Sequence, residues 1–476
     1  MSAEIGGKRL DEGIDLLVLG LGATGLALAR WATEHLGGFV KSVTIYPGSK
    51  IKPCAQTRSL EVMGATCVLG TEEVEGSYDV CVASPGISEF SAFFASGRAH
   101  ASEIMGEPEF AFRLSPERWI AVTGTNGKTT TTSLINHLLN ESGLACRAVG
   151  NIGVAPITAI DRRAEGSWFA AELSSYQLAT TSELHPRVSV LLNITPDHLA
   201  WHRTHEAYAA AKRRIFANQG AGDLAVVCVE DAGSAAALPE AHATGAEVCE
   251  LAHEDSGAPS AAFIRDGVLI CRLRGVEHRL CAATELAISG AHNELDALAA
   301  AAAALWVGAE PTGVAHALTT FQPLEHRIEP VRTVDGVRYV NDSKATNTDA
   351  VEKALTAFPN DSVVLLLGGT DKGTELSDFA ERVSASCVRA IVCFGEARDR
   401  FLAAFAEPTR REGVELAKAE HLADAVEVAR ALAHADDVVL LSPACSSFDE
   451  FSGFEERGDR FKELVADLSR KSGGSR

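Results

Sequence analysis

Val122-Thr123-Gly124-Thr125-Asn126-Gly127-Lys128-Thr129-Thr130 decides how this chain is read. Just before it, the apolar run 119–122 predicts a buried strand. Just after it, Thr131, Leu134, Ile135, Leu138 and Leu139 recur at the spacing of a helix packed on a sheet. Strand, glycine turn and helix come in the order a phosphate cradle needs. The glycines let successive N–H groups point at oxygens, the helix N-terminus adds partial positive charge, and Lys128 adds a full one. Gly124, Thr125, Asn126 and Gly127 then form the cradle, and Thr129 or Thr130 offers a hydroxyl to Mg²⁺. The general pattern places a glycine where Val122 stands, so the loop begins at Gly124.

The next strands carry chemistry at their ends. Residues 168–171 run into Glu172, followed by Leu173-Ser174-Ser175. A carboxylate there, beside a phosphate loop, is where such enzymes hold a metal. Residues 188–192 lead through Asn193 to Thr195-Pro196-Asp197-His198, where His198 either ligates metal or caps a turn. Residues 205–217 predict a helix with Tyr208, Ile215 and Phe216 on one face and Lys212 among them. A lysine on such a face ordinarily snorkels to water. A desolvated lysine instead has a depressed pKa, and its neutral amine can add CO₂ to form a carbamate, an oxygen-rich anion suited to Mg²⁺.

The flanks repeat the alternation of strand and helix. Residues 15–19 followed by Gly20-Leu21-Gly22-Ala23-Thr24-Gly25 make a Rossmann-type start. The second strand, 42–45, ends at Tyr46, where a dinucleotide enzyme places a carboxylate for a ribose, so NAD loses support. Residues 80–83 run into Ser84-Pro85-Gly86, a second loop at a strand's C-terminal end, where open α/β sheets bind ligands. Residues 230–290 read as a small antiparallel patch, and the alanine-rich 297–307 as a buried helix. Beyond Pro323, strands at 363–367, 390–394 and 438–441 predict another parallel sheet. Its loops collect polar clusters: Glu325-His326-Arg327, Asn341-Asp342-Ser343-Lys344-Ala345-Thr346-Asn347, Gly368-Gly369-Thr370-Asp371-Lys372 and Ser442-Pro443-Ala444-Cys445-Ser446-Ser447-Phe448. Arg327 suits a γ-phosphate or a surface ion pair. The fold expected is α/β in three domains: a Rossmann-like 1–105, a central P-loop ATPase at 106–323 with a mainly parallel sheet, and a Rossmann-like 324–476.

Composition sets outer bounds. A chain of 476 residues exceeds one core. A net charge of −21 argues against nucleic acid or an anionic membrane surface as the main partner. The first residues lack an apolar h-region and no uncharged run is long enough to span a bilayer, so a cytoplasmic protein is expected; a monomer is the working expectation, which these features do not decide. The eleven cysteines are scattered without a Cys-x-x-Cys pair, which disfavours a disulfide framework or zinc.

Taken in order, Gly124-Thr-Asn-Gly-Lys-Thr-Thr130, Gly150-Asn151-Ile152-Gly153, Glu172-Leu-Ser-Ser175, Asp197-His198, Tyr208-x-x-x-Lys212, His292-Asn293, His326-Arg327 and Asn341-Asp-Ser-Lys-Ala-Thr-Asn347 resemble the Mur ligase family over nearly the whole chain. The resemblance implies an ATP-dependent amide ligase of peptidoglycan precursor synthesis, joining D-glutamate to UDP-N-acetylmuramoyl-L-alanine through an acyl phosphate. It implies that Lys128, Thr129 and Thr130 hold ATP phosphates and Mg²⁺, that Glu172 and carbamylated Lys212 serve the metals, and that His198 ligates a second Mg²⁺. It implies adenine at Asn293, with Arg327, Asp342 and Lys344 completing the nucleotide site. Thr24, Ser84 and Asn151 are implied for the UDP-muramoyl substrate, and Thr346, Lys372, Ser447 and Phe454 for D-glutamate. Two departures stand out: Asp296 replaces the second asparagine of His-Asn-x-x-Asn, and Tyr46-Pro47 replaces an acidic residue near uracil. Another Mur-type or folylpolyglutamate-type ligase, an NAD oxidoreductase and a non-catalytic nucleotide switch are the competing readings.

Overall fold

Three α/β sheets organise the computed structural model, which describes residues 4–9, 12–288, 290–322, 325–371 and 373–473. The first sheet runs Thr66–Cys67, Val40–Tyr46, Ile14–Leu19, Tyr78–Ala83 and Ala101–Gly106, all parallel. Its inner strands Ile14–Leu19 and Tyr78–Ala83 are mostly apolar and buried, as strands covered on both faces are, whereas Val40–Tyr46 and Ala101–Gly106 mix polar residues in.

The second sheet has nine strands. From Cys146–Gly150 through Trp168–Glu172, Trp119–Thr123, Val188–Leu191, Leu224–Cys228 and Glu247–Leu251 to Ala261–Arg265 every pair is parallel. Val268–Leu273 and Val276–Ala282 extend it antiparallel. The antiparallel patch read from residues 230–290 is therefore the edge of this same sheet from Ala261 onward only, because Glu247–Leu251 pairs parallel with both its neighbours. Trp119 meets Phe169 edge-on at 5.3 Å between centroids, a contact worth about 1 kcal/mol beyond its buried area.

The third sheet orders Glu329–Val334, Val337–Asn341, Val438–Ala444, Val363–Gly368, Val388–Phe394 and Glu415–Lys418, parallel except for its first pair. The chain forms two compact units, Met1–Glu285 with Leu295–Thr320, and Leu286–Glu294 with Phe321–Arg476. The first unit holds two of the sheets and the second unit holds the third.

Two helices differ from their sequence reading. The alanine-rich helix spans Ala291–Trp306, starting six residues before the apolar run; its alanines 297 and 299–304 are fully buried. The helix expected over 205–217 ends at Arg213 and tightens into a 3₁₀ turn, Arg214–Phe216. Ile215 and Phe216 are buried all the same. All eleven cysteines are free thiols. Among the described residues no helix is long and apolar enough to cross a membrane.

Candidate active site

The phosphate loop hangs between strand Trp119–Thr123 and helix Lys128–Glu141, and the neighbouring strand end braces it. The Thr125 N–H donates to the Asn193 carbonyl at 2.9 Å, and the Asn126 N–H to Asn193 Oδ1 at 2.8 Å. Asn193 Nδ2 returns a bond to the Asn126 carbonyl at 3.2 Å. Thr125 Oγ1 donates to the Thr195 carbonyl at 3.1 Å and lies 2.9 Å from the Tyr208 hydroxyl. Asn193 is thus the loop's template, a role its position at a strand end did not announce.

Two lysines converge on this loop. Lys128 Nζ donates to the carbonyls of Gly124 at 2.9 Å and Thr125 at 2.8 Å. Lys212 does not snorkel: it is 2% exposed, and its Nζ donates to the Gly124 carbonyl at 2.6 Å, 4.7 Å from the Tyr208 ring centroid. Burial, and next the charge of Lys128, push the Lys212 ammonium well below its ordinary pKa.

Glu172 closes strand Trp168–Glu172 and is buried. Its Oε1 accepts from Asn151 Nδ2 at 2.9 Å, while among the described residues its buried Oε2 has no hydrogen-bond partner. The Asn151 N–H donates to the Glu172 carbonyl at 2.9 Å. Gly150, at φ 96°, makes that approach possible, since a Cβ there would lie 2.2 Å from the Glu172 carbonyl oxygen. Asn151, expected at the sugar substrate, is bonded to this carboxylate.

His198 sits at φ 55° before the short helix Leu199–His202 and makes no side-chain cap bond. Its half-exposed ring lies 4.9 Å from the Tyr176 ring, with Nδ1 3.5 Å from Asp197 Oδ1. Beside it His202, which sequence reading passed over, is buried with Nε2 2.9 Å from Ser175 Oγ. Burial, aided by His198 and Lys212, pushes its imidazole down to about 4, so it is neutral at pH 7. Among the described residues no group of three or more His, Cys, Asp or Glu could hold a metal by itself. The oxygen donors at this edge, Glu172 Oε2 and the half-buried Thr129, suit Mg²⁺, which binds through one or two protein oxygens and keeps phosphate and water for the rest.

The first sheet contributes its own loops. Ser84 Oγ donates to the Gly20 carbonyl at 3.2 Å, joining the two glycine-bearing turns at one sheet edge, and Thr24 lies half-buried in the first turn of Ala23–Glu34. Ser88 Oγ donates to the Trp201 carbonyl at 3.1 Å and Arg203 Nη2 to the Phe90 carbonyl at 3.1 Å, which ties the segment after Ser84 to the segment after His198. Tyr46 is buried and its hydroxyl accepts from the Glu75 N–H at 3.0 Å, a prop for that loop.

In the second unit, Asn293 and Arg327 line one cavity of about 340 Å³ with Ile288, Ile328, Ala357 and Phe358. Asp342 is buried and accepts from Ser442 Oγ at 2.7 Å; burial raises its carboxyl to about 7 against the pull of that bond and of Arg327. Lys344 Nζ lies 3.7 Å from the Phe454 ring centroid. Thr346 is half-buried before helix Thr348–Leu355, and Ser447 is buried with its hydroxyl unpartnered among the described residues. Lys372 lies outside the described residues.

The hub of these loops is Arg457, which sequence reading missed. Fully buried, it donates from Nε to Ser343 Oγ at 2.9 Å, from Nη2 to the Ser343 carbonyl at 2.8 Å, and from Nη1 to the carbonyls of Cys445 at 3.0 Å and Ser446 at 3.2 Å. Only its position in the helix Phe454–Gly473 could have flagged it. Asp296, questioned as an adenine contact, instead accepts from Thr131 Oγ1 at 3.1 Å.

Residues 122–304 match the Mur ligase middle domain, and residues 326–445 match the Mur ligase glutamate ligase domain. The chain belongs to the Mur ligase family. Among its relatives is the UDP-N-acetylmuramoylalanine–D-glutamate ligase of Pelotomaculum thermopropionicum, 38% identical over 96% of this chain and 98% of the relative. The enzyme of the same name from Solibacter usitatus is 37% identical over 97% and 99%. The fold is shared with MurF from Acinetobacter baumannii, at a TM-score of 0.59 and 18% identity over 84% of this chain and 92% of that one. It is also shared with UDP-N-acetylmuramate-alanine ligase MurC from Thermotoga maritima, at 0.56 and 19% over 95% and 99%.

Proposed function

We propose that this chain is an ATP-dependent ligase that joins D-glutamate to UDP-N-acetylmuramoyl-L-alanine in the cytoplasm, as a step of peptidoglycan precursor synthesis. The observation that carries the reading is the 38% identity, over 96% of the chain, to a ligase named for that reaction. The phosphate loop with its two converging lysines supports it, because an oxidoreductase reading leaves that loop unused. The proposed division of labour is 1–105 for the UDP-substrate, 106–323 for ATP and 324–476 for the amino acid.

A carboxylate and an ammonium do not condense in water at neutral pH, so the acid must be activated. In this reading the L-alanyl carboxylate attacks the γ-phosphorus of ATP, the bond to ADP breaks, and an acyl phosphate forms. The free amine of D-glutamate attacks its carbonyl carbon, and the tetrahedral intermediate loses a proton and expels phosphate. The loop 124–130 and Lys128 hold the phosphates, and preorganised N–H groups and a fixed charge favour the charge-rich transition state. Glu172, Thr129, His198 and carbamylated Lys212 would hold magnesium, which screens the repulsion between attacking carboxylate and phosphate. The buried, low-pKa amine of Lys212 supports the carbamate, since only the neutral form adds CO₂. Asn293 and Arg327 take the nucleotide, which their shared cavity supports. Asp342 and Lys344 complete that site. Thr24, Ser84 and Asn151 take the UDP-muramoyl group; Thr346, Lys372, Ser447 and Phe454 take D-glutamate.

The test is phosphate release with ATP, Mg²⁺ and UDP-N-acetylmuramoyl-L-alanine across an amino-acid panel. D-Glutamate alone should drive turnover. Release driven instead by L-glutamate, L-alanine or a diamino acid would reassign the acceptor.

A further inference from the structure

We infer that Asp296 is a positioning residue for the phosphate loop, acting through Thr131 and Gly127, and does not read the nucleotide base. The inference rests on the ATP-binding reading above. Asp296 is 4% exposed, and its Oδ1 accepts from Thr131 Oγ1 at 3.1 Å, in the first turns of the helix that the loop feeds. The same oxygen is packed against the loop's last glycine: a Cβ on Gly127, whose φ is 83°, would lie 2.4 Å from Asp296 Oδ1 and 2.9 Å from Leu192 Cδ1. One carboxylate oxygen therefore fixes both the left-handed turn that aims the loop's N–H groups and the start of the helix behind it.

Its charge acts in the opposite sense to its shape. A carboxylate near a helix N-terminus is favoured by the aligned peptide dipoles, so Asp296 steadies the empty loop. A nucleotide's phosphates delivered to that helix end meet a buried like charge. Shape prepares the loop for phosphate, whereas charge weakens the hold on it and eases release of the spent nucleotide. The two effects separate by substitution. Thr131→Val keeps volume and charge but removes the latch. Asp296→Asn keeps an oxygen that accepts from Thr131 but removes the charge.

The experiment is calorimetric titration of the full-length protein with ATP and with GTP, for the native chain and both variants, with thermal melting to verify folding. Thr131→Val should bind ATP about tenfold more weakly, the effect of one hydrogen bond to a charged group. Asp296→Asn should bind it about threefold more tightly, the effect of a charge at a helix end. The ratio of ATP to GTP affinity should stay unchanged in both. Opposite signs are the signature, because a merely structural role lowers the melting temperature without splitting the affinities. Equal affinities in all three proteins, shifts of the same sign, or a tenfold change of the ATP to GTP ratio in Asp296→Asn would overturn the assignment. A native chain that binds no ATP would instead overturn the ligase reading beneath it.

Discussion

Lys128 and Lys212 donate to the same acceptor: the Gly124 carbonyl takes one hydrogen bond from each Nζ, at 2.9 and 2.6 Å. Two ammonium groups held on one oxygen repel each other, and the more buried of them releases its proton more readily. Lys212 is that group, lowered first by burial and second by Lys128. The loop thereby brings two amines of unequal basicity to one carbonyl oxygen.

Lys128→Ala should reduce ATP-dependent phosphate release on the order of a hundredfold or more, as loss of a preorganised charge at a phosphoryl-transfer site does. Its fold should survive, because the hydrogen bonds of Lys128 to the Gly124 and Thr125 carbonyls lie within its own loop. Turnover near the native rate would count against the phosphate-loop assignment.

Lys212→Ala should be inactive and partly restored by short carboxylic acids such as formate or acetate, which return an anionic oxygen to the space the carbamate would fill. No recovery at any concentration, together with a crystal structure free of carbamate density, would remove that part of the mechanism.

Stability should move the other way at the same position. Because the folded pKa of Lys212 is depressed, the unfolded chain takes up the proton first, and stability is lost as pH falls from about 10.5 toward the folded value. Lys212→Met should therefore raise the melting temperature at pH 7 and lose that advantage above pH 10, since the Gly124 carbonyl keeps Lys128 as donor. A lower melting temperature at pH 7 would show that the amine's hydrogen bond outweighs its desolvation.

Asp342 gives a pH dependence of the opposite sign. With its folded pKa raised to about 7 from 3.8, the native chain holds a proton that the unfolded chain releases. Its contribution is full below pH 3.8 and is lost as pH rises through about 7. Urea midpoints at pH 5 and pH 8 should lie closer together in Asp342→Asn than in the native chain; an unchanged gap would contradict the burial argument.

Arg457→Lys should destabilise the second unit by about 3 kcal/mol, because a single ammonium cannot replace the planar fork that serves Ser343, Cys445 and Ser446 together and leaves buried carbonyls unpaired. Chemical denaturation followed by near-ultraviolet circular dichroism measures this, and a loss below about 0.5 kcal/mol, the range of ordinary surface changes, would refute it.

The fold and much of the candidate site were legible in the sequence because they rest on local pattern. Strands Trp119–Thr123 and Trp168–Glu172 announce themselves by continuous apolar runs, and Gly127 with Lys128 marks the turn between strand and helix. What misled is equally physical. The helix bearing Lys212 ends at Arg213, because periodicity does not register a switch from α to 3₁₀. His202 and Arg457 gave no motif, since a neutral buried imidazole and a guanidinium bonded to carbonyls look in sequence like ordinary helix residues.

From the sequence alone come the alternation of strand and helix, the phosphate loop and the likeness to one ligase family, all set by residues close together along the chain. Tertiary structure alone decided that Lys212 is buried on Gly124, 88 residues away, that Asp296 latches Thr131 across 165 residues, and that Arg457 gathers Ser343 across 114. Burial, pairing and the pKa shifts that follow are sums over neighbours, and those neighbours come from remote segments that meet only when the sheets assemble.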